Sequence, residues 1–303
     1  MDIYLPVAEM SVNLLLVLGL GGGIGFLSGV FGVGGGFLMT PLLIFIGIPP
    51  VVAVGSGTTQ ILASSVSGVL AHLARKAVDL RMGLVLVLGG SLGSFLGVLV
   101  FRWLRAVGQV DTFVTLAYVL FLGTVGLIML QESVRTLWRR RTLVLPPRRL
   151  HRHTWTHGLP FKVSCPESRL YISVLLPLLT GAVIGLLTAV MGVGGGFILI
   201  PAMIYLIGMP TSVVVGTSLF QLCFVTALTG FLHAFNNQSV DVVLALLLIA
   251  GGVVGVQFGA RAGAYLRGEE LRALLALIVL AVCGRLAWDL VATPLDPYSI
   301  AVR

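Results

Sequence analysis

The sequence predicts an all-α integral membrane protein: two inverted five-segment repeats with Gly-broken or short half-helices, about 8–10 membrane segments in all. Three observations predict it. Of 303 residues, 57% are hydrophobic and only 10% are charged, whereas soluble domains carry about 25% charged residues. The mean hydropathy is +1.08. No Asp, Glu, Lys or Arg occurs from Met10 to Ala74 or from Leu170 to Val240, and each run is several times the roughly 20 residues of one crossing. Finally, Gly32-Val33-Gly34-Gly35-Gly36-Phe37 recurs as Gly192-Val193-Gly194-Gly195-Gly196-Phe197, each followed at the same distance by a proline, Pro41 and Pro201.

Taken in order, Leu14 to Phe31 is the first apolar segment, and it runs into the first glycine cluster. Three successive glycines oppose helix continuation at roughly 1 kcal/mol each relative to Ala. Phe37 to Ile48 follows and is closed by Pro49-Pro50. As a helix it would be about 18 Å long, short of the ~30 Å hydrocarbon core, so it reads as a half-helix or one arm of a re-entrant hairpin. Val51 to Leu73 is long enough to cross, and a basic turn with Arg75, Lys76 and Arg81 comes next. Met82 to Phe101 crosses with Gly89, Gly93 and Gly97 on one face, a spacing that lets a neighbouring helix approach closely. Thr112 to Gln131 is the fifth segment.

After the basic stretch the order repeats as Tyr171 to Val190, Phe197 to Ile207, Thr211 to Leu232, Val242 to Ala260 and Leu271 to Val291. Gly34, Phe37 and Pro41 match Gly194, Phe197 and Pro201 at an offset of 160. Pro49, Gly55, Ser56, Gln60 and His72 match Pro210, Gly216, Thr217, Gln221 and His233 at 161. Asp79, Gly89, Gly93 and Gly97 match Asp241, Gly251, Gly255 and Gly259 at 162. The chain therefore divides into a first transmembrane repeat over 10–133, a basic linker over 134–169 and a second repeat over 170–291.

Charge sets the expected orientation. The net charge of +8 does not point to nucleic acid, because nine of the nineteen Lys and Arg lie between Arg135 and Arg169. That clustering marks a cytoplasmic loop and a surface for anionic lipid. The turn at Arg75, Lys76 and Arg81 is basic, whereas its counterpart Ala234 to Asp241 has no base. Corresponding turns then face opposite sides, so the repeats are expected to be inverted, with both ends outside. Asp2 and Glu9 precede the first apolar run with no base, unlike the positive start of a cleaved signal peptide. Arg102, Arg261 and Arg285 near segment ends read as snorkelling side chains.

Inverted repeats with interrupted helices are the pattern of many secondary transporters. At Gly34, Gly35, Gly36, Gly194, Gly195 and Gly196, exposed backbone N–H groups can face an anion; close packing or a plain hinge is the alternative, and inverted duplication, which makes the breaks converge, favours the anion site. Position 37 is Phe, which excludes a GxGxxG dinucleotide loop. Ser56, Thr58, Thr59 and Gln60, with Thr217, Ser218 and Gln221, offer neutral donors and acceptors inside crossing segments. Interhelical bonds or back-bonding to helix carbonyls would explain the hydroxyls equally well. The two glutamines are costlier to bury unpaired, which favours a binding role. His72 and His233 are candidates for proton coupling, though both stand near segment ends. His151, His153 and His157 precede Cys165, but the surrounding positive charge disfavours a metal, so no metal site or cofactor is expected.

The repeated GVGGGF with its proline, the turns Gly47-Ile48-Pro49 and Gly208-Met209-Pro210, and the starts Val54-Gly55-Ser56 and Val215-Gly216-Thr217 together resemble the TauE/SafE family of sulfite and sulfonate exporters. Trp155, His157, Gly158, Leu159, Pro160, Phe161 and Lys162 also look like that family, and the likeness runs from about Leu14 to Asp289. Gly216, Thr217, Ser218 and Leu219 follow the family pattern, from which Gly55, Ser56, Gly57 and Thr58 depart. The resemblance implies transport of sulfite, thiosulfate, a sulfonate or a related small organic anion.

The expectation is therefore a multi-pass transporter of the inner membrane and not an enzyme, with a cytoplasmic basic loop. It would export a small sulfur-containing anion by alternating access, coupled to a proton or sodium ion or driven by the anion's own gradient. No GxxxxGK motif is present for ATP. The alternatives are an anion channel or a non-transport membrane subunit of a redox or assembly system. The glycine faces at 89–97 and 251–259 could equally serve internal packing or a homodimer.

Overall fold

A computed structural model describes residues 2–31, 34–140, 162–165, 168, 170–263 and 268–291. Its helices follow the apolar segments in order: α1 (Leu14–Phe31), α2 (Gly36–Phe45), α3 (Pro50–Ala74), α4 (Leu80–Ala106) and α5 (Val110–Arg140). Then come α6 (Leu175–Met191), α7 (Gly196–Ala202), α8 (Thr211–Leu232), α9 (Val242–Gly263) and α10 (Gly268–Val291). Pro50 opens α3 at a first-turn position where its missing N–H is harmless. Five-residue π-helical turns, Met203–Ile207 and His233–Asn237, extend α7 and α8.

Leu80–Ala106, Val110–Gln131, Val213–Asn237 and Val242–Gly259 are long and apolar enough to cross a membrane by length and composition. Around them the outer surface is apolar: Leu84, Leu88, Leu92 and Phe95 on α4 and Leu246, Val254 and Phe258 on α9 are exposed. Water would not tolerate so continuous an apolar coat, and lipid would. The chain is an all-α, multi-pass membrane protein. α2, with 10 residues, is about 15 Å long and too short to cross.

Corresponding helices exchange partners. α1 packs on α9 and α6 packs on α4, while α3 meets α8 and α5 meets α10. The glycine faces are what bring α4 to α6 and α1 to α9. A Cβ on Gly97 would stand 2.8 Å from the Leu186 carbonyl oxygen, and one on Gly93 would overlap the Ala182 carbonyl. On the other side, a Cβ on Gly255 would lie 2.7 Å from the Phe26 nitrogen, and one on Gly251 2.8 Å from the Gly22 nitrogen. Both faces are thus occupied within the protomer.

Two antiparallel hairpins are additions that apolar patterning does not announce. β1 (Asp2–Leu5) pairs with β2 (Met10–Asn13), and β3 (Lys162–Cys165) pairs with β4 (Leu170–Ser173). Every strand boundary of the second hairpin stands 160 residues after the first. The second hairpin therefore starts inside the stretch read as linker, and it takes Tyr171 to Ser173 out of the segment expected to be helical. The strands are only four residues long, too short for a period-two pattern to stand out beside long apolar runs. His151, His153 and His157, most of the basic stretch, and Gly32 and Val33 lie outside the described residues.

Candidate functional site

The two glycine breaks meet at the centre of the fold. Gly34 and Gly35 have φ of 82° and 69°, and Gly192, Gly194 and Gly195 lie between 71° and 73°. These are left-handed backbones that glycine adopts without penalty. Gly35 precedes α2 and Gly195 precedes α7 as N-cap residues. Immediately after them, the Phe37 and Phe197 rings stack with centroids 4.6 Å apart and planes 17° from parallel. Ile61 fills the space between: a Cβ on Gly194 would touch its side chain at 3.0 Å, and one on Gly36 would run into it. Leu222, the residue matching Ile61, stands 3.0 Å from a Cβ placed on Gly34. The breaks are thus brought together around an apolar centre of Phe37, Phe197, Ile61 and Leu222.

The hydroxyls of the candidate set turn out to be engaged. Thr58 and Thr59 donate to Gly55 O and Ser56 O, each at 2.7 Å. Thr217 donates to Val213 O at 2.7 Å and Ser218 to Val215 O at 2.8 Å. Their protons are spent within their own helices, as Ser and Thr in apolar surroundings commonly do. Ser56 and Thr217 have a further matched task. Ser56 Oγ accepts the Asp241 N–H at 2.9 Å, and Thr217 Oγ1 accepts the Asp79 N–H at 2.9 Å.

Gln60 and Gln221 are different. Both are fully buried, and neither the Oε1 nor the Nε2 of either has a hydrogen-bond partner among the described residues. Each side chain lies along a glycine that makes room for it. A Cβ on Gly252 would come within 2.5 Å of Gln60 Nε2, and one on Gly90 within 2.7 Å of Gln221 Nε2. Gln60 therefore points to the α1–α9 pair and Gln221 to the α4–α6 pair, each one residue along its helix from the apolar side chain at the breaks. A buried amide with both ends unpaired is destabilising by about 1–3 kcal/mol, and the fold carries two of them at matched positions.

Two buried aspartates organise the surroundings. Asp241 Oδ1 accepts the Val243 and Leu244 N–H groups at 3.1 Å, capping α9, while its Oδ2 accepts the Val7 N–H at 2.9 Å in the turn of the first hairpin. Asp79 caps α4 through the Met82 N–H at 3.1 Å, and its Oδ2 receives the Ser168 N–H at 3.1 Å and the Ser168 hydroxyl in the second hairpin. Each carboxylate thus ties the hairpin of one half to a helix start of the other. The sequence shows the match of Asp79 with Asp241 but not this task, which needs the tertiary partner. No Lys or Arg whose side chain is described is buried, so among the described residues the buried interior holds neutral dipoles and these two carboxylates.

The two histidines do not share an environment. His233 is fully buried. Its Nε2 donates to Ala189 O at 2.8 Å, and its Nδ1 takes the Asn237 amide at 2.9 Å. The Phe101 ring meets it edge-on at 4.9 Å. Together with Tyr118, whose hydroxyl donates to Met191 O at 2.6 Å, His233 pins the last turn of α6 just before the second break. His72, in the last turn of α3, is half-buried, and its Nδ1 has no partner among the described residues.

The sequence model of a family described as "Sulfite exporter TauE/SafE" matches residues 16–286. A "Probable membrane transporter protein" of Xylella fastidiosa (strain 9a5c) is 29% identical over 282 residues, 91% of this chain and 95% of its own. From Bacillus subtilis (strain 168), "Probable membrane transporter protein YjnA" is 28% identical over 274 residues, 89% of this chain and 97% of its own. "Probable membrane transporter protein YunE", from the same strain, is 25% identical over 291 residues, 92% of this chain and 98% of its own. No solved structure matches. A match over residues 16–286, taking in both glycine breaks and both glutamines, places the chain in the TauE/SafE family of membrane transporters.

Proposed function

We propose that this protein is a secondary transporter that exports a small sulfur-containing anion, such as sulfite, thiosulfate or a sulfonate, across the inner membrane by alternating access. The observation that carries the reading is the pair of fully buried amides of Gln60 and Gln221, which have no hydrogen-bond partner among the described residues. An oxyanion leaving water needs hydrogen-bond donors. The protons of Thr58, Thr59, Thr217 and Ser218 are held by helix carbonyls, which leaves those hydroxyls as acceptors. Each glutamine Nε2 brings two N–H donors. Backbone N–H groups at Gly34, Gly35 and Gly36 and at Gly194, Gly195 and Gly196 supply more as the breaks open. Neutral donors suit a carrier, because they hold an anion without trapping it.

The movement we propose is a rocking of one half against the other about the apolar centre. It is supported by the exchange of helix partners between the halves and by the basic turn at Arg75, Lys76 and Arg81, whose counterpart Ala234 to Asp241 has no base. Inverted repeats of this kind open a central site first to one side and then to the other. In this reading the 134–169 stretch is the cytoplasmic linker. His72, whose Nδ1 has no partner among the described residues, is the candidate for proton coupling, whereas His233 is a structural pin.

The test is thermal unfolding of the purified protein against a panel of sulfite, thiosulfate, methanesulfonate, formate and chloride. A ligand that binds the folded state raises its stability as RT ln(1 + [L]/Kd). Stabilisation by at least one sulfur oxyanion, with chloride inert, is the expected result. A flat response to every sulfur oxyanion would refute the proposed substrate class.

A further inference from the structure

We propose that the substrate crosses as a monoanion and that divalent oxyanions are rejected; this rests on reading Gln60 and Gln221 as the anion's donors. The first support is the charge of the interior. Both glutamines are neutral, and no Lys or Arg with a described side chain is buried. The buried formal charges among the described residues are the carboxylates Asp79 and Asp241.

Those carboxylates belong to the same helix contacts as the glutamines. Ser56 and Gln60 stand four residues apart on α3, about 6 Å along its axis. Ser56 accepts the Asp241 N–H while Gln60 lies on Gly252, so both face α9. On α8, Thr217 accepts the Asp79 N–H and Gln221 lies on Gly90, so both face α4. An anion held by either amide would have a carboxylate as the nearest buried charge. The neighbouring apolar side chains, Ile61 and Leu222 with the stacked Phe37 and Phe197, offer no compensation.

The energetics then separate monoanion from dianion. Desolvation grows with the square of the charge, so a dianion loses about four times the hydration energy of a monoanion of equal size. Its attraction to amide dipoles only doubles, and so does its repulsion by the two carboxylates. Neutral donors can offset the smaller loss and not the larger. A sulfonate, or sulfite in its singly protonated form, meets the requirement; sulfate and thiosulfate, both divalent, do not, so this rule narrows the substrate class proposed above to the monovalent sulfur anions.

Competition in proteoliposomes holding the full chain tests this. Counterflow of labelled methanesulfonate is measured against unlabelled methanesulfonate, sulfamate and sulfate. Sulfamate is the control for the methyl group, being monovalent and polar. We expect the two monoanions to compete comparably and sulfate to compete at least about tenfold more weakly, a gap of one decade in affinity. Sulfate competing as well as methanesulfonate would overturn the charge rule while leaving the transporter reading in place. Sulfamate failing together with sulfate would also overturn it, since the methyl group would then be the determinant. No movement of labelled methanesulfonate, labelled sulfamate or labelled sulfate would overturn both the oxyanion reading and this rule.

Discussion

Gln60 and Gln221 define the residue scale, because stability and function pull in opposite directions there. Each carries an amide with no partner among the described residues, so Gln60→Met or Gln221→Met, which keeps the length and removes the polar ends, should stabilise the protein by about 1–3 kcal/mol. Transport should fall at least about tenfold. Thermal unfolding and flux on the same preparation check this; lower stability together with normal flux would make the amides structural. Glycines show how position decides the effect of one chemistry. A Cβ at Gly19 meets nothing within 4 Å, whereas at Gly255 it lies 2.7 Å from the Phe26 nitrogen and overlaps the Gly22 carbonyl. Gly19→Ala should be neutral or gain up to about 1 kcal/mol of helix propensity. Gly255→Ala should lose about 1–3 kcal/mol through overpacking, read as a lower unfolding temperature. At this scale the sequence made the glutamines conspicuous, since burying an unpaired amide needs a reason. It did not separate Ser56 and Thr217 from Thr58 and Ser218, because the bonds to Asp241 and Asp79 join residues more than a hundred positions apart.

At the scale of elements, the hairpins and the aspartates that hold them were the unforeseen part. Asp241 holds the first hairpin through Val7, and Asp79 holds the second through Ser168. Asp241→Ala should therefore raise hydrogen exchange across Asp2–Asn13 and at the start of α9, and leave Lys162–Ser173 unchanged. Asp79→Ala should do the reverse. Loss of the helix cap alone contributes about 0.5–2 kcal/mol. The turns after α3 and α8 carry a second matched feature: Lys76 and Gln238, 162 residues apart, are both left-handed, with φ of 52° and 48°. Lys76→Gly or Gln238→Gly should remove about 1 kcal/mol of backbone strain and raise the unfolding temperature slightly. The long helices were legible because uncharged runs bounded by Arg, Asp and Pro leave little freedom in where a membrane helix starts and stops. Four-residue strands beside them have no such boundary signal, and their match shows only once the 160-residue offset is carried back to Asp2.

At the scale of the whole molecule, the proposed rocking draws on the exchange of partners between α1–α9 and α6–α4 and on the one-sided basic turns. Single cysteines at Lys76 and Gln238, in a background lacking Cys165, Cys223 and Cys283, should be labelled by an impermeant reagent from opposite sides, position 76 from the cytoplasm. Labelling of both from one side would refute the proposed inversion and with it the proposed rocking. The stacked Phe37 and Phe197 with Ile61 and Leu222 close the centre with apolar surface, and patterning alone did not reveal that plug, since its members look like ordinary core residues. The most direct test of the central claim is concentration-dependent methanesulfonate uptake by proteoliposomes containing either the wild-type chain or a Gln60→Met/Gln221→Met variant. Saturable uptake by the wild type is expected, with at least about a tenfold loss in a variant that inserts and unfolds no earlier. Equal uptake by both proteins, or a flux that never saturates, would contradict the claim.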